Sequence, residues 1–265
     1  MNNIVSERSN GMTANYHTHT RRCGHAVGED RAYVEQAIAA GLEVLGFSDH
    51  SPFVYPNGYV SGIRMSPAEL DGYFSSLTSL KQEYAGDIRI YIGFEAEYIP
   101  ELMEAQDRLL SDYPVDYMIL GQHSIAREDI SPYTGSPTSD VQLLHRYTDL
   151  VIEGMESGRY KYLAHPDLVN YIGDTAELES AYDRICRYLS EKDSPVEINL
   201  LGLHGGRNYP SGRFLKKAGE YGCKAIIGFD AHAPEFLCER KLAEQGAALA
   251  EEYGLTVIHR IPGLE

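Results

Sequence analysis

Along the chain, short runs of β-type apolar residues alternate with stretches whose apolar residues recur at helical spacing, and the alternation repeats about seven times. The first run, Ala14 to His17, precedes a helix from about Asp30, with Val34, Ala37, Ile38 and Leu42 on one face and a stop at Gly41. The second, Val44 to Phe47, continues into Ser48-Asp49-His50. Ser66-Pro67-Ala68-Glu69 predicts an N-cap, a proline at the first helical position and a capping-box glutamate, opening a helix to about Tyr84. Further strands are expected at Ile88 to Phe94, Tyr117 to Gly121, Tyr162 to Ala164, Val196 to Asn199 and Ala225 to Phe229, with a terminal run at Leu255 to Ile258. Helices are expected near Glu101 to Leu110, Val141 to Met155, Leu178 to Leu189, around Phe214, Leu215 and Ala218, and as one long element from Glu235 to Tyr253. Ser124 to Asp140 reads as a loop over one end and Gly202 to Tyr209 as a Gly-rich loop.

Strand–helix alternation of this kind predicts an α/β barrel of parallel strands. We expect one domain over 1–265, with 1–12 a short N-terminal extension. Hydrophobic residues at 43% and charged residues at 23% suit a soluble globular chain with a full core. With no apolar run of membrane-span length and no export-type apolar segment near residue 1, a cytoplasmic protein that avoids membranes is expected. Cys23, Cys186, Cys223 and Cys238 form no C-x-x-C pair, which points to reduced thiols. A formal net charge of -16 argues against a nucleic-acid surface, so an anionic substrate needs a locally positive site.

Candidate chemistry falls on the strand ends. His17 and His19, one residue apart, point to the same side of an extended backbone, with His25 close behind. His50 ends the second strand, Glu95 the third, His123 the fourth, His165 the fifth, and Asp230 with His232 the seventh. In a parallel barrel these ends converge on one mouth, where active sites are built. His145, His204 and His259 are left over; His145 falls in a helix, and any one histidine alone would be an ordinary surface or core residue. Seven histidines and two carboxylates exceed what one catalytic ion takes but suit a cluster, with Glu95 the natural bridge. Three divalent ions against two carboxylates and a hydroxide leave a local charge of about +3, which suits phosphate.

His17-Thr18-His19, His25, Ser48-Asp49-His50, Gly93-Phe94-Glu95-Ala96-Glu97, Gly121-Gln122-His123-Ser124, His165-Pro166 and Asp230-Ala231-His232 together resemble the polymerase and histidinol phosphatase (PHP) superfamily. Arg64-Met65, Glu197-Ile198-Asn199 and Arg207-Asn208-Tyr209-Pro210-Ser211 are similar to its histidinol-phosphatase branch. The resemblance covers nearly the whole chain and implies a distorted (β/α)7 TIM-like barrel with a trinuclear site at the C-terminal strand ends. It implies that His17, His19, Glu95 and Asp230 bind a first ion, Glu95, His123 and His165 a second, and His25, His50 and His232 a third. Mixed nitrogen and oxygen ligands suit zinc, iron or manganese.

The implied reaction is metal-dependent hydrolysis of the phosphate monoester L-histidinol phosphate to L-histidinol and phosphate, a step of histidine biosynthesis. Hydroxide attacks phosphorus in line, Glu95 bridges the ions, and Asp230 takes part in proton transfer. Arg64 and Arg207 are candidates for the phosphate, and Glu97, Glu197, Asn199 and His204 for the amino or imidazole end. Cys23 is expected to pack behind the ligands rather than to attack. The rival within enzymes is a PHP-type phosphodiesterase or nucleotidase acting on small nucleotides; outside enzymes it is a non-catalytic module binding metal or a phospho-ligand.

Overall fold

The computed structural model describes residues 12–264, so the expected N-terminal extension lies, but for residue 12, outside the described residues. The strands are β1 (Ala14–Asn15), β2 (Val44–His50), β3 (Arg89–Ala96), β4 (Tyr117–Leu120), β5 (Val196–Asn199), β6 (Lys224–Gly228) and β7 (Thr256–Val257). The helices are α1 (Asp30–Ala40), α2 (Leu70–Glu83), α3 (Pro100–Leu110), α4 (Val141–Glu156), α5 (Thr175–Glu191), α6 (Leu200–His204), α7 (Gly212–Glu220) and α8 (Arg240–Glu252). All strand pairs are parallel, in two sheets ordered β1-β2-β3-β4 and β5-β6-β7.

The sheets meet at two narrow seams. At one, Leu163 pairs singly with Leu120 and with Val196. The expected strand Tyr162 to Ala164 is therefore reduced to one bridging residue. Its ladder stops because His165 turns into left-handed backbone at φ 27° and Pro166 has no N–H to donate. At the other seam Thr18 pairs with Ala231: the His19 amide donates to the Ala231 carbonyl at 2.9 Å, and the Ala231 amide to His17 at 3.2 Å.

Strands covered on both faces read as nearly continuous apolar runs, and the period of two sorts them. Leu45 and Phe47 of β2, Ile90, Ile92 and Phe94 of β3 and Ile198 of β5 pack outward under the helices. Val44, Tyr91, Tyr117, Ile119, Tyr162 and Ile226 fill the barrel interior. Two steps up β3 from inward Tyr91 is Gly93, and two more is Glu95, whose ladder partner on β2 is His50. The same alternation carries inward Ile226 on to Gly228 and Asp230. Tyrosines thus plug the barrel floor, small residues form the next layer, and metal-type side chains form the top.

Local signals decide the helix ends. Ser66 and Glu69 form the capping box, although the first turn, Pro67–Glu69, is 3-10 rather than α. Gly41 ends α1 at φ 83°, in the left-handed region that favours glycine. Two expectations are corrected. The Asn199 side chain accepts the Gly202 amide at 2.8 Å and caps a short helix, α6, where the glycines had pointed to loop from residue 202. The long helix expected over 235–253 is a 3-10 turn, Pro234–Cys238, then α8, broken at Glu239 where ψ is 68°.

Candidate metal centre

Glu95 stands at the middle of the mouth, and its two oxygens face different partners. Oε1 lies 2.6 Å from His165 Nε2 and 3.5 Å from His123 Nε2. Oε2 lies 3.4 Å from His17 Nε2, 3.5 Å from His19 Nε2 and 3.2 Å from His50 Nδ1. A carboxylate so divided has the geometry of a bridge. Asp230 Oδ1 comes within 3.4 Å of His17 Nε2 and 3.0 Å of His19 Nε2, so both rings also face one oxygen of this second carboxylate. His25 stacks toward His232 and His50, with ring centroids 4.7 and 5.2 Å away, at the outer edge. The structure thus brings together the nine residues placed here from sequence.

Three of the inner rings have a carboxylate behind them. His17 Nδ1 meets Glu197 Oε1 at 2.8 Å, and His123 Nδ1 meets Glu97 Oε1 at 3.0 Å. His19 Nδ1 lies 3.5 Å from Asp49 Oδ1, while the Thr20 hydroxyl donates to the other oxygen of Asp49. Backbone carbonyls serve the outer rings: Cys23 O takes His25 Nδ1, and Asp230 O takes His232 Nδ1, each at 3.0 Å. A carboxylate or carbonyl behind the imidazole is the usual support of a metal ligand, because it sets the tautomer and the ring's direction.

Four of these histidines keep buried nitrogens without a hydrogen-bond partner: His17 Nε2, His19 Nδ1 and Nε2, His50 Nδ1 and His165 Nδ1. Buried polar atoms rarely stay unpaired, since each costs its full desolvation. Three of the five, His17 Nε2, His19 Nε2 and His50 Nδ1, face the Glu95 carboxylate, and the donor set fits divalent ions that accept nitrogen and oxygen. His17, His19 and Glu95 offer ligand atoms within 4.8 Å of one another, as do His19, His50 and His232, and also Cys23, His25 and His232. His165 and Asp230 hold left-handed backbone at φ 27° and 54°, conformations that non-glycine residues adopt at a cost and that cluster at functional sites.

The electrostatics point the same way. Burial opposes charge on Glu95, yet His123, His17, His50 and His165 hold its carboxyl well below the usual range. Burial likewise opposes charge on His17, but Glu197, Asp230 and Glu95 raise it well above its ordinary value. Burial and the neighbouring His19 send His232 the other way, down to about 3. The cluster draws positive charge inward without room for a proton on every ring, and divalent ions on the same atoms would supply that charge.

The candidates for substrate divide. Arg207 is exposed at the mouth, its Nη1 donating to the Tyr209 hydroxyl at 2.6 Å. Tyr209 packs on His165, with centroids 5.6 Å apart, and Tyr133 stacks on His123 at 6.4 Å. Glu197 is not available to a substrate: it is fully buried, and beyond its His17 contact it accepts the His165 amide at 3.0 Å and Asn199 Nδ2 at 2.9 Å. Asn199 spans Glu197 and Asp230 Oδ2, the latter at 3.1 Å. Both hold candidate ligands in place. Glu97 and Arg64 are paired with each other. His204 is exposed and packs edge-on against Phe236, 5.3 Å away, in contact with none of the nine. Asp49 was missed as a support for His19; its place just before a strand-end histidine was the available signal.

The chain matches the PHP domain over residues 15–200. It is 29% identical over 231 residues to a Deinococcus radiodurans protein named "Probable histidinol-phosphatase", covering 82% of this chain and 85% of that one. It is 27% identical over 198 residues to the histidinol-phosphatase of Lactococcus lactis subsp. lactis, covering 69% and 70%. The crystal structure of a histidinol phosphate phosphatase from the same Lactococcus, complexed with zinc, L-histidinol and phosphate, superposes with a TM-score of 0.71 over 93% of this chain and 95% of that one, at 21% identity. That likeness establishes a shared fold, here the TIM-like barrel with histidine-rich strand ends. With the family match running from β1 to the start of α6, the chain belongs to the PHP domain family.

Proposed function

We propose that this protein is a metal-dependent phosphatase that hydrolyses L-histidinol phosphate to L-histidinol and phosphate. The carrying observation is the division of Glu95 between two sets of imidazoles, with Asp230 Oδ1 also facing His17 and His19. The names of the relatives, histidinol-phosphatases from two bacteria, supply the substrate.

In this reading His17, His19, Glu95 and Asp230 hold a first ion, Glu95, His123 and His165 a second, and His25, His50 and His232 a third. Zinc, iron or manganese would polarise the phosphoryl oxygens and acidify a water. The chain's own groups do the rest. Arg207, steadied by Tyr209, meets the phosphate with its fork of donors. Asp230 is the group for the proton: Asn199 pins Oδ2, so Oδ1 is the atom presented to the cluster. Tyr133 and Tyr209 form apolar walls that narrow the mouth and exclude water from the reacting phosphate. The proposal carries a place in histidine biosynthesis and a cytoplasmic location; no described helix is long and apolar enough to cross a membrane.

The test is phosphate release from L-histidinol phosphate, from small nucleotides and from a generic aryl phosphate, with elemental analysis of the same preparation. Preference for histidinol phosphate by an enzyme carrying at least two ions per chain is expected. Equal rates on all substrates would sink the substrate assignment, and a His17→Ala protein with full activity would sink the metal mechanism.

A further inference from the structure

Arg64 has the chemistry of a phosphate anchor, but its guanidinium is committed elsewhere. Buried, it donates through Nη1 and Nη2 to Glu97 at 3.0 and 2.9 Å, through Nη1 to the Ser51 carbonyl at 3.2 Å, and through Nε to Glu128 at 2.9 Å. Glu97 Oε1, which takes Nη2, also takes His123 Nδ1 at 3.0 Å. That bond leaves His123 Nε2 facing Glu95. A line of charged contacts therefore runs from Glu128, on the loop after β4, through Arg64, on the loop after β2, to Glu97 and His123.

The outer end of the line is also built. The Glu128 carboxylate collects the Ser61 hydroxyl at 2.8 Å and the Tyr59 hydroxyl at 3.0 Å, and next to it Asn57 Nδ2 donates to Asp129 at 2.7 Å. Glu128 and Asp129 thus fasten the loop after β2 to the loop after β4. Two carboxylates on different edges of one planar guanidinium fix its tilt, which a single bidentate pair leaves free about the line joining them. Glu97 shares one oxygen between Arg64 and the imidazole, so the tilt of Arg64 becomes the direction of His123.

We propose that Glu128 is a positioning residue for the second ion: through Arg64 and Glu97 it aims the imidazole of His123, and it does so by its own bond to Arg64 rather than by fastening the loop. The proposal rests on the phosphatase reading only in taking His123 as a metal ligand. The experiment is zinc titration of chelator-stripped protein against a competing chelator, for wild type, Glu128→Gln, Arg64→Lys and the double variant Tyr59→Phe/Ser61→Ala. Circular dichroism and melting of the stripped proteins report folding.

Glu128→Gln and Arg64→Lys are expected to weaken one zinc of the set by about 10- to 100-fold, the scale of lost support behind a metal-bound imidazole. The double variant, which loosens the loop but keeps the Glu128 charge, is expected to bind zinc as wild type does. Unchanged zinc affinity in Glu128→Gln overturns the proposal. So does equal weakening in the double variant, which would make the effect one of loop folding. The zinc measurement needs no substrate, so a wild type inactive on histidinol phosphate would refute the functional reading and leave this one standing.

Discussion

The Glu95 carboxylate occupies the space that a side chain on Gly121 would need: a Cβ built there runs into Oε1, Cδ and Cγ of Glu95. The same relation recurs between Gly228 and Glu197. Both acids are fully buried, so neither can swing away cheaply. Gly121→Ala should push Glu95 off its bridging position, lowering zinc retention and phosphatase activity together by about 10- to 100-fold or more, with far-ultraviolet circular dichroism unchanged. Full zinc content in an active Gly121→Ala protein would contradict the bridge.

Removing the ions should cost stability as well as activity, because it returns several buried imidazole nitrogens to an unpaired state. Stripping with a chelator is expected to abolish phosphate release and lower the melting temperature, and zinc should restore both. At free zinc 100-fold above the dissociation constant, each site adds about 2.7 kcal/mol. A melting temperature indifferent to chelator would count against ions in this cluster.

Arg207 and Arg64 separate by readout. Arg207→Ala should lower kcat/KM on histidinol phosphate by about 10- to 100-fold, as for a lost hydrogen bond to a charged group, with zinc content unchanged. A loss of zinc in Arg207→Ala, without a kinetic defect once zinc is replaced, would remove it from the phosphate site.

Asp167 offers a test by pH. Burial pushes its carboxyl from 3.8 up to about 6, against the Ser211 amide that favours the ionised form. The folded state therefore holds the proton more tightly than the unfolded chain, and its contribution to stability is present below pH 4 and lost as pH rises through about 6. Asp167→Asn keeps an acceptor for the Ser211 amide and cannot ionise. In urea unfolding of metal-free protein, its stability relative to wild type should rise by up to about 3 kcal/mol between those limits. A constant difference across the range would refute the shift.

Much of this was legible because a parallel barrel turns strand ends into neighbours. His17, His50, Glu95, His123, His165 and Asp230 could be assigned to one mouth once each fell at the end of an apolar run, and the family motifs agreed. What could not be read was the direction of side chains behind that first layer. Glu197 and Asn199 are polar residues at a strand end, as a substrate contact would be, yet the inward alternation of β5 buries them against His17 and Asp230. Arg64 looked free because its partners, Glu97 and Glu128, come from two other segments. Backbone details escaped for a similar reason: nothing in Tyr162 to Ala164 reveals that its ladder is one residue long, since that follows from the turn at His165.

The two seams bear on how the barrel holds together. Leu163 closes one almost alone, and Thr18 with Ala231 closes the other. His165 sits two residues past the first; His17, His19, Asp230 and His232 flank the second. Ions gripped by these side chains and by Glu95 on β3 would act as rivets across the joints where the backbone lacing is thinnest. A chain emptied of metal would loosen first along its seams, the tyrosine-packed floor holding while the rim spreads, and the protein's supply of metal would then govern how long the barrel stays shut.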